Sequence, residues 1–191
     1  MPSNNLDKAQ LRQLLRQRRK ALSAEQQAQA ANAVLGSVAD VPHWPTAHCV
    51  ALYIAADGEI GTEPLAQACL ESGKHRYLPV ICPDKHLEFA LWEPHATLAP
   101  NHLGIPEPPS SAPRIKAGDL DLVFLPLVGW DCRGGRLGMG GGYYDRTLAA
   151  YPDKPVRVGL AHHCQQTERL ACDAWDINLN FVATDAGLIS C

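Results

Sequence analysis

The sequence predicts an α/β fold, with one layered domain built on a central, largely parallel sheet flanked by helices. Short apolar segments with strand character alternate with segments of helical periodicity, the order that produces parallel sheets. The length of 191 residues suits one domain with a sizeable core, and no linker or internal repeat divides residues 1–191. With 46% hydrophobic and 19% charged residues, the composition is that of a globular protein.

Two helices are predicted near the N-terminus. From Lys8 to Leu22 the leucines fall on one helical face, with basic residues around it. Ser23 followed by Gln26 has the pattern of a capping box, which opens a second, alanine-rich helix that reaches about Ala39.

Short runs rich in apolar and β-branched residues predict the strands. These runs are His48 to Ala55, Arg76 to Cys82, Leu87 to Trp92, Leu122 to Val128 and Val156 to Ala161. Residues 83–86 form the turn between the second and third of these strands. The last strand is predicted either at Phe181 to Thr184 or at Gly187 to Ser190.

Two further helices and one long loop complete the predicted elements. Thr62 is a predicted N-cap, with Pro64 in the first turn and Gly73 as the stop of the helix. Tyr143 to Tyr151 is predicted to be helical. The proline-rich segment from Glu93 to Gly118 is predicted to be a long ordered loop.

Composition and motif content make several classes of function improbable. The net charge of -3, without a long basic run, predicts no nucleic-acid partner. No apolar run is long enough to span a membrane, and the N-terminus lacks the apolar centre of a signal peptide, so we expect a cytoplasmic protein without a membrane partner. Seven cysteines without a CxxC pair, and eight histidines without an HExxH motif, predict reduced thiols and no zinc site.

The segment RLGMGGGYYDR, residues 136–146, carries the strongest functional signal. It places four glycines between a predicted strand and a predicted helix. Glycine permits positive φ and close approach of a ligand, and backbone N–H groups in such a loop can surround an anion. The segment lacks the lysine and hydroxyl of a P-loop, and it fits GxGxxG poorly because Tyr143 takes the place of the last glycine. A tight turn without a ligand is the alternative interpretation.

The residues that flank the glycines favour anion binding over a plain turn. Arg136 can neutralise phosphate, and Asp145 can bind Mg²⁺ through oxygen. The adjacent Tyr143 and Tyr144 can form the wall of a site for a planar ligand. A turn that only joins a strand to a helix needs none of these residues.

Three other groups of residues are candidates for the same site. The segment Asp57-Gly58-Glu59 follows a predicted central strand, where open α/β sheets bind ligands. Lys8 and Arg12 lie four residues apart on one helical face and can reach one phosphate together. Asp173 and Asp176 precede the last strand, and one of them can join Asp145 on a divalent ion. Taken singly, the Asp57 segment is equally typical of a solvated turn, and the Lys8 and Arg12 pair is more typical of a solvated basic face.

Together, these residues resemble the 5-formyltetrahydrofolate cyclo-ligase family. The resemblance covers nearly the whole chain and rests on the segments KAQLRQLLRQRRKALS, ALYIAADGEIGT, LGIPEP, PLVGWDCRGGRLGMGGGYYDRTL and AWDINLNFVATD. It implies a fold similar to the sugar-phosphate isomerase and CoA-transferase superfamily. It also implies ATP- and Mg²⁺-dependent closure of 5-formyltetrahydrofolate to 5,10-methenyltetrahydrofolate, with phosphoryl transfer to the formyl oxygen, attack by the folate N10 and release of ADP and phosphate.

The resemblance further implies a role for individual residues. It matches a set of ATP-binding positions to Lys8, Arg12, Arg136, Gly138, Met139, Gly140, Gly141, Gly142, Tyr143 and Tyr144. It matches folate-binding positions to Ile54, Glu59, Gly140, Gly141, Gly142 and Tyr143, and magnesium ligands to Asp145 and Asp176. Lys8 and Arg136 are expected to neutralise charge during phosphoryl transfer and are the expected catalytic residues. The expected partners are the two small-molecule substrates alone, bound by a monomer.

Two alternative functions stay open on the sequence. A sugar-phosphate isomerase or a CoA-transferase-like enzyme can use a glycine loop for substrate phosphate without consuming a nucleotide. A non-catalytic folate- or nucleotide-binding protein is the other alternative, although binding alone does not require both Arg136 and Asp145.

Overall fold

The computed structural model describes residues 7–191, which form four α-helices and one large sheet accompanied by two short ribbons. The helices are α1 (Lys8–Lys20), α2 (Ala24–Ala39), α3 (Glu63–Glu71) and α4 (Tyr143–Leu148). The strands are β1 (Cys49–Ala51), β2 (His75–Ile81), β3 (Leu87–Leu91), β4 (Ala99–Pro100), β5 (Pro106–Glu107), β6 (Arg114–Ile115), β7 (Leu122–Pro126), β8 (Gly129–Trp130), β9 (Arg136–Leu137), β10 (Val156–Ala161), β11 (Phe181–Thr184) and β12 (Gly187–Ser190).

The large sheet has the strand order β12-β11-β10-β7-β1-β2-β3-β6. Its five central strands, from β11 to β2, are parallel, whereas β12, β3 and β6 pair in the antiparallel sense at the two edges. The predicted fold class is therefore confirmed. Because the central strands are parallel, the loops that follow them converge at one edge of the sheet, where α/β proteins bind ligands.

Side-chain alternation along the central strands divides the core into two layers. In β7, Leu122 and Phe124 face one layer, and Val123 and Leu125 face the other. The first layer is filled by residues of α2 and α3, and the second by α4 and the loops around it. Both faces of the sheet are therefore covered, which is why its central strands are largely apolar.

Helix α1 packs at the carboxyl edge of the sheet rather than on either face. Asp7 caps it through a capping box with Gln10. Its leucines contact the loop segments that follow the central strands, in a cluster of Leu11, Leu15, Val128, Leu137 and Leu170. This packing carries the N-terminal turns of α1 to the same edge as the loops.

Most element boundaries lie within a few residues of the predictions. The capping box at Ser23 and Gln26 is present, and α2 ends at Ala39. Both candidates for the last strand form, because β11 and β12 are the two arms of an antiparallel pair. The long loop contains the short strands β4, β5 and β6, which its prolines did not indicate.

Two elements are shorter than predicted. The strand predicted from His48 to Ala55 is regular only over β1, with one more hydrogen bond from Leu52 N–H to Tyr77 O, because the chain then turns away to form a wall of the cavity described below. There Tyr53 donates to Ile60 O, and Thr62 Oγ1 donates to Tyr53 O instead of capping α3. Helix α4 ends at Leu148 and not at Tyr151.

No helix in the described part of the chain is long and apolar enough to cross a membrane.

Candidate functional site

A cavity of about 1020 Å³ opens at the carboxyl edge of the sheet. Its walls come from the loop after β1, the ends of β2 and β7, the glycine segment, α1 and the loop before β11. Every position that the family resemblance matches to a ligand or a metal lines this one cavity. These residues are Lys8, Arg12, Ile54, Glu59, Arg136, Gly138, Met139, Gly140, Gly141, Gly142, Tyr143, Tyr144, Asp145 and Asp176.

The glycine loop, residues 138–142, forms one side of the cavity between β9 and α4. Gly140 and Gly142 have φ values of 98° and 67°, a region in which side chains with a Cβ are strained. Among the described residues, none accepts a hydrogen bond from the five backbone N–H groups of the loop. Arg12 Nε donates to Gly138 O at 2.8 Å and fixes the start of the loop to α1. The loop therefore lines the cavity with backbone N–H groups that have no acceptor among the described residues.

An ion pair lies directly beneath this loop. Arg136 Nη2 donates to Asp145 Oδ1 at 2.6 Å, and the two side chains are only 6% and 19% exposed. Asp145 Oδ1 also accepts from the N–H of Ile177 at 3.2 Å, so it joins the loop before β11 to α4. The buried Nε of Arg136 has no acceptor among the described residues, and a ligand oxygen would satisfy it.

Lys8 joins the two aspartates of the loop before β11. Its Nζ lies 2.6 Å from Asp173 Oδ2 and 3.2 Å from Asp176 Oδ2. The hydrogen bond to Asp173 is the main reason that the pKa of Lys8 is raised above its usual value, so the ammonium is charged at neutral pH. Asp173 was not nominated as a partner of Lys8, because sequence spacing does not show which side chains a fold brings together.

The carboxylates at this end of the cavity suit a sparsely held magnesium ion. Asp145 uses Oδ1 and Asp176 uses Oδ2 for hydrogen bonds, and among the described residues their second oxygens have no donor. Residues 7–191 contain no group of three histidine, cysteine, aspartate or glutamate side chains arranged to hold a metal. Mg²⁺ bound with a nucleotide takes one or two carboxylates and fills its other positions with phosphate and water.

Glu59 is an acidic group in a largely apolar part of the cavity. Its side chain is 13% exposed, and Oε2 accepts from the N–H of Ala56 at 3.1 Å. Burial raises the pKa of Glu59 above its usual value, and the hydrogen bond from Ala56 only partly opposes this effect. Arg19 Nη2 lies 3.8 Å from Glu59 Oε1, an ion pair longer than a hydrogen bond, so Oε1 can still accept a hydrogen bond from a ligand.

The neighbouring Asp57 has a structural role. Its carboxylate pairs with Arg16 at 2.7 Å and Arg19 at 2.8 Å, and Lys20 also contacts it. The hydrogen bond from Arg16 is the main reason that the pKa of Asp57 is held well below its usual range. Arg19, which is 0% exposed, also donates to Asp57 O and to Leu127 O, so α1 fixes the loop that carries Glu59.

Sequence reasoning missed the apolar wall of the cavity and part of its rim. The wall contains Leu78, Pro79, Ile81, Leu87, Ile105 and Pro106. The strand residues among them had the signature of core positions, and only the LGIPEP segment offered a signal for Ile105 and Pro106. Trp175, which is 70% exposed, lies on the rim beside Asp176.

Comparison with families of known sequence gives one match over most of the chain. Residues 4–185 match the model of the 5-formyltetrahydrofolate cyclo-ligase family. The chain is 40% identical over 175 residues to the 5-formyltetrahydrofolate cyclo-ligase of Escherichia coli K12, covering 90% of this chain and 96% of that protein. It is also 40% identical over 180 residues to the enzyme of the same name from Haemophilus influenzae, covering 92% and 96%.

Solved structures agree with the sequence comparison. The NMR structure of 5,10-methenyltetrahydrofolate synthetase from Aquifex aeolicus is similar with a TM-score of 0.84 and 32% identity, over 96% of this chain and 92% of that one. The synthetase from Mycoplasma pneumoniae, with a TM-score of 0.77 and 24% identity over 94% and 99% of the chains, shares the fold.

Proposed function

This chain belongs to the 5-formyltetrahydrofolate cyclo-ligase family, and we propose that the cavity described above is its active site. There the enzyme would convert 5-formyltetrahydrofolate to 5,10-methenyltetrahydrofolate with MgATP. The observation that carries the assignment of the site is the convergence of all nominated residues on one cavity, with an unpaired N–H loop on one side and an apolar wall opposite. An isomerase that consumes no nucleotide and a non-catalytic binding protein are not retained.

ATP is assigned to the end of the cavity where Lys8, Arg12 and the glycine loop meet. The unpaired N–H groups of residues 138–142 are suitable donors to phosphate oxygens, and glycine at these positions lets a phosphate approach the backbone. Lys8 and Arg12 add positive charge, and Arg136 adds a donor at the base of the loop. Met139 and Tyr144 complete the wall around the nucleotide.

Mg²⁺ is assigned to Asp145 and Asp176. Each aspartate is already oriented through one carboxylate oxygen and keeps the other without a donor among the described residues. The bound ion would supply charge neutralisation between the phosphates of ATP. Lys8 contacts Asp176 Oδ2, so an ion held by this aspartate would share its carboxylate with the Lys8 ammonium.

The folate is assigned to the end of the cavity lined by Ile54, Glu59 and Tyr143. A carboxylate accepts well from adjacent N–H groups, so Glu59 is suited to the amidine-like edge of the pterin. Tyr143 and the apolar wall exclude water from the rings. The glycines at 140–142 lie between the two assigned ends, where both substrates can contact them.

The chemistry requires positioning and charge neutralisation more than a protein nucleophile. The formyl oxygen of the substrate attacks the γ-phosphorus, the bond to ADP breaks, and the oxygen becomes part of a good leaving group. N10 then attacks the formyl carbon, phosphate leaves with the oxygen, and N10 loses its proton. Lys8, Arg136 and the loop N–H groups would neutralise the charge that develops on the transferred phosphoryl group.

The proposal is tested by mixing the protein with 5-formyltetrahydrofolate and MgATP and following the absorbance of methenyltetrahydrofolate. We expect product to form with stoichiometric ADP and phosphate, and no product when ATP is omitted. Product formed without nucleotide, or hydrolysis of ATP without ring closure, would overturn the proposal.

A further inference from the structure

Arg146 is a cavity-lining arginine that no part of the proposed mechanism uses. Its Nη1 donates to Lys85 O at 2.9 Å and to Gly142 O at 3.2 Å. Neither acceptor carries a charge, and no ion pair of the described residues includes Arg146. An exposed guanidinium that is held in place but not neutralised is available to an anionic ligand.

The glycine loop separates this arginine from the cations assigned to ATP. Arg12 is bonded to Gly138 at the start of the loop, and Arg146 is bonded to Gly142 at its end. Arg12 lies on the side of Lys8 and the two aspartates, whereas Arg146 lies against the turn between β2 and β3. The cavity therefore carries two separate cationic groups, and the reaction has two anionic substrates.

We propose that Arg146 binds the carboxylates of the glutamate tail of the folate substrate. This inference rests on the proposed function. The tail is the anionic part of a folate, and it is joined to the pterin through an aminobenzoyl ring. A folate with its pterin at Glu59 needs an apolar path and then a cation, and the cavity supplies both in that order.

The sheet fixes this order. Glu59 follows β1, and the turn that contacts Arg146 joins β2 to β3, between one and two strands further along the same edge. One to two strand spacings are roughly 5–10 Å, a separation that the aminobenzoyl group can bridge. Ile81 and Leu87, at the ends of β2 and β3 that flank the turn, line the intervening wall.

Two acidic groups on this side of the cavity have hydrogen-bond or ion-pair partners other than Arg146. Glu107 Oε1 accepts from the N–H of Ile81 at 3.0 Å and from Asn101 Nδ2 at 2.7 Å. Asp84 lies 3.2 Å from His86 Nδ1. Lys85 in the same turn is exposed and also makes no ion pair among the described residues, so it extends the cationic surface toward longer γ-glutamyl tails.

The test compares substrates that differ only in the tail. We expect Arg146→Ala to raise the KM for 5-formyltetrahydrofolate about tenfold, because one charge-assisted contact is lost. The KM for ATP should not change, and neither should the KM for 5-formyltetrahydropteroate, which has the same rings but no glutamate. Arg146→Lys keeps the charge but not the fork of donors, and it should give an intermediate KM. Arg133→Ala, which removes an exposed arginine outside the cavity, is the matched control and should match the parent.

Three results would overturn the inference. They are an equal rise in the KM for both folates, a rise confined to ATP, and a parent enzyme that uses the pteroate as efficiently as the folate. If Arg146→Ala unfolds, Arg146→Lys and the parent enzyme still give the comparison. A parent protein that forms no product from either folate contradicts the proposed function instead, so the two failures are distinguishable.

Discussion

Arg136 Nη2 and Asp145 Oδ1 are joined by a hydrogen bond of 2.6 Å that closes the base of the glycine loop. The two residues lie in β9 and in the first turn of α4, on either side of the loop, so the pair fixes the separation of its ends. The same carboxylate holds the N–H of Ile177 in the loop before β11. One aspartate thereby links the nucleotide loop, the proposed metal site and the C-terminal part of the chain.

Activity should be sensitive to Asp145→Asn, a substitution that keeps the shape of the side chain but removes its charge. Asp145→Asn should raise the Mg²⁺ concentration required for half-maximal activity at least several-fold, and excess Mg²⁺ should restore part of the rate, since an amide is a weaker magnesium ligand than a carboxylate. Titration of activity with Mg²⁺ at fixed ATP measures this. Asp84→Asn, which changes an exposed aspartate outside the cavity, should leave the titration unaltered. An unaltered titration for Asp145→Asn would reject the metal assignment.

Replacing Lys8 should change the KM for ATP more than it changes the stability of the fold. We expect Lys8→Met to raise the KM for ATP about tenfold, because it removes a cation from the proposed phosphate end. Its partly exposed ion pairs should contribute less than about 1 kcal/mol to the free energy of unfolding, so Tm should change little. Lys154→Met, which removes an exposed lysine paired with Asp121, is the control. A larger effect on folate than on ATP would contradict the assignment.

Ionised Glu59 should lower the stability of the folded protein, although the proposed function requires it. Its pKa is raised in the folded protein, so the folded state holds the proton more tightly than the unfolded chain, and stability falls as pH rises from the unfolded pKa through the folded pKa. Glu59→Gln removes this cost. As the pH is raised from 5 to 8, the Tm of the variant should therefore increase relative to the Tm of the parent. Only the parent must ionise a carboxyl group whose pKa is raised by folding. Thermal unfolding across that pH range measures the difference.

The same variant should lose folate affinity. Loss of the ionised acceptor should raise the folate KM by roughly tenfold or more, equivalent to about 1.5–3 kcal/mol for a hydrogen bond to a charged group, with a smaller effect on the KM for ATP. Equal effects on both substrates would tell against a contact with the pterin edge.

Arg19 and Arg16 contact the same Asp57, but Arg19 is buried and Arg16 is partly exposed. Comparing them separates the stability contributed by a buried arginine from that of a partly exposed ion pair. Arg19→Met should cost about 2–4 kcal/mol of the free energy of unfolding, because it leaves Asp57 O without its donor and removes one of the two donors to the buried Leu127 O. Arg16→Met should cost less than about 1 kcal/mol, since its side chain is 39% exposed. Urea unfolding of the two variants measures both values. Equal costs would contradict a special role for the buried arginine.

Gly140 should be required for function beyond its effect on the backbone. Gly140→Ala and Gly73→Ala both place a Cβ at positive φ, and each should cost about 1 kcal/mol of stability. Only Gly140→Ala should also lower activity, because its Cβ enters the space assigned to phosphate. Comparing kcat/KM for ATP in the two variants tests this. If the activity of both variants fell alike, the loss would reflect stability alone.

Local sequence patterns were sufficient for most elements and for the members of the site. The capping box at Ser23 opens α2, and the apolar run at Val156–Ala161 is β10, because capping groups and side-chain periodicity act over a few neighbouring residues. The glycine segment and the motifs around it nominated residues that line one cavity.

Tertiary structure decided how those residues are connected. The carboxylate partners of Lys8 lie more than 160 residues away, and the apolar wall opposite the glycine loop comes from strands that resembled ordinary core. The pairing of Arg136 with Asp145, the burial that raises the pKa of Glu59, and the lack of an ion pair at Arg146 among residues 7–191 all depend on how distant segments pack. The sequence by itself determined the family and the groups available for chemistry, since these are properties of short motifs. Only the folded chain decided which groups neutralise one another and which stay available to a ligand, because charge pairing and desolvation depend on distances in space and not on separation along the chain.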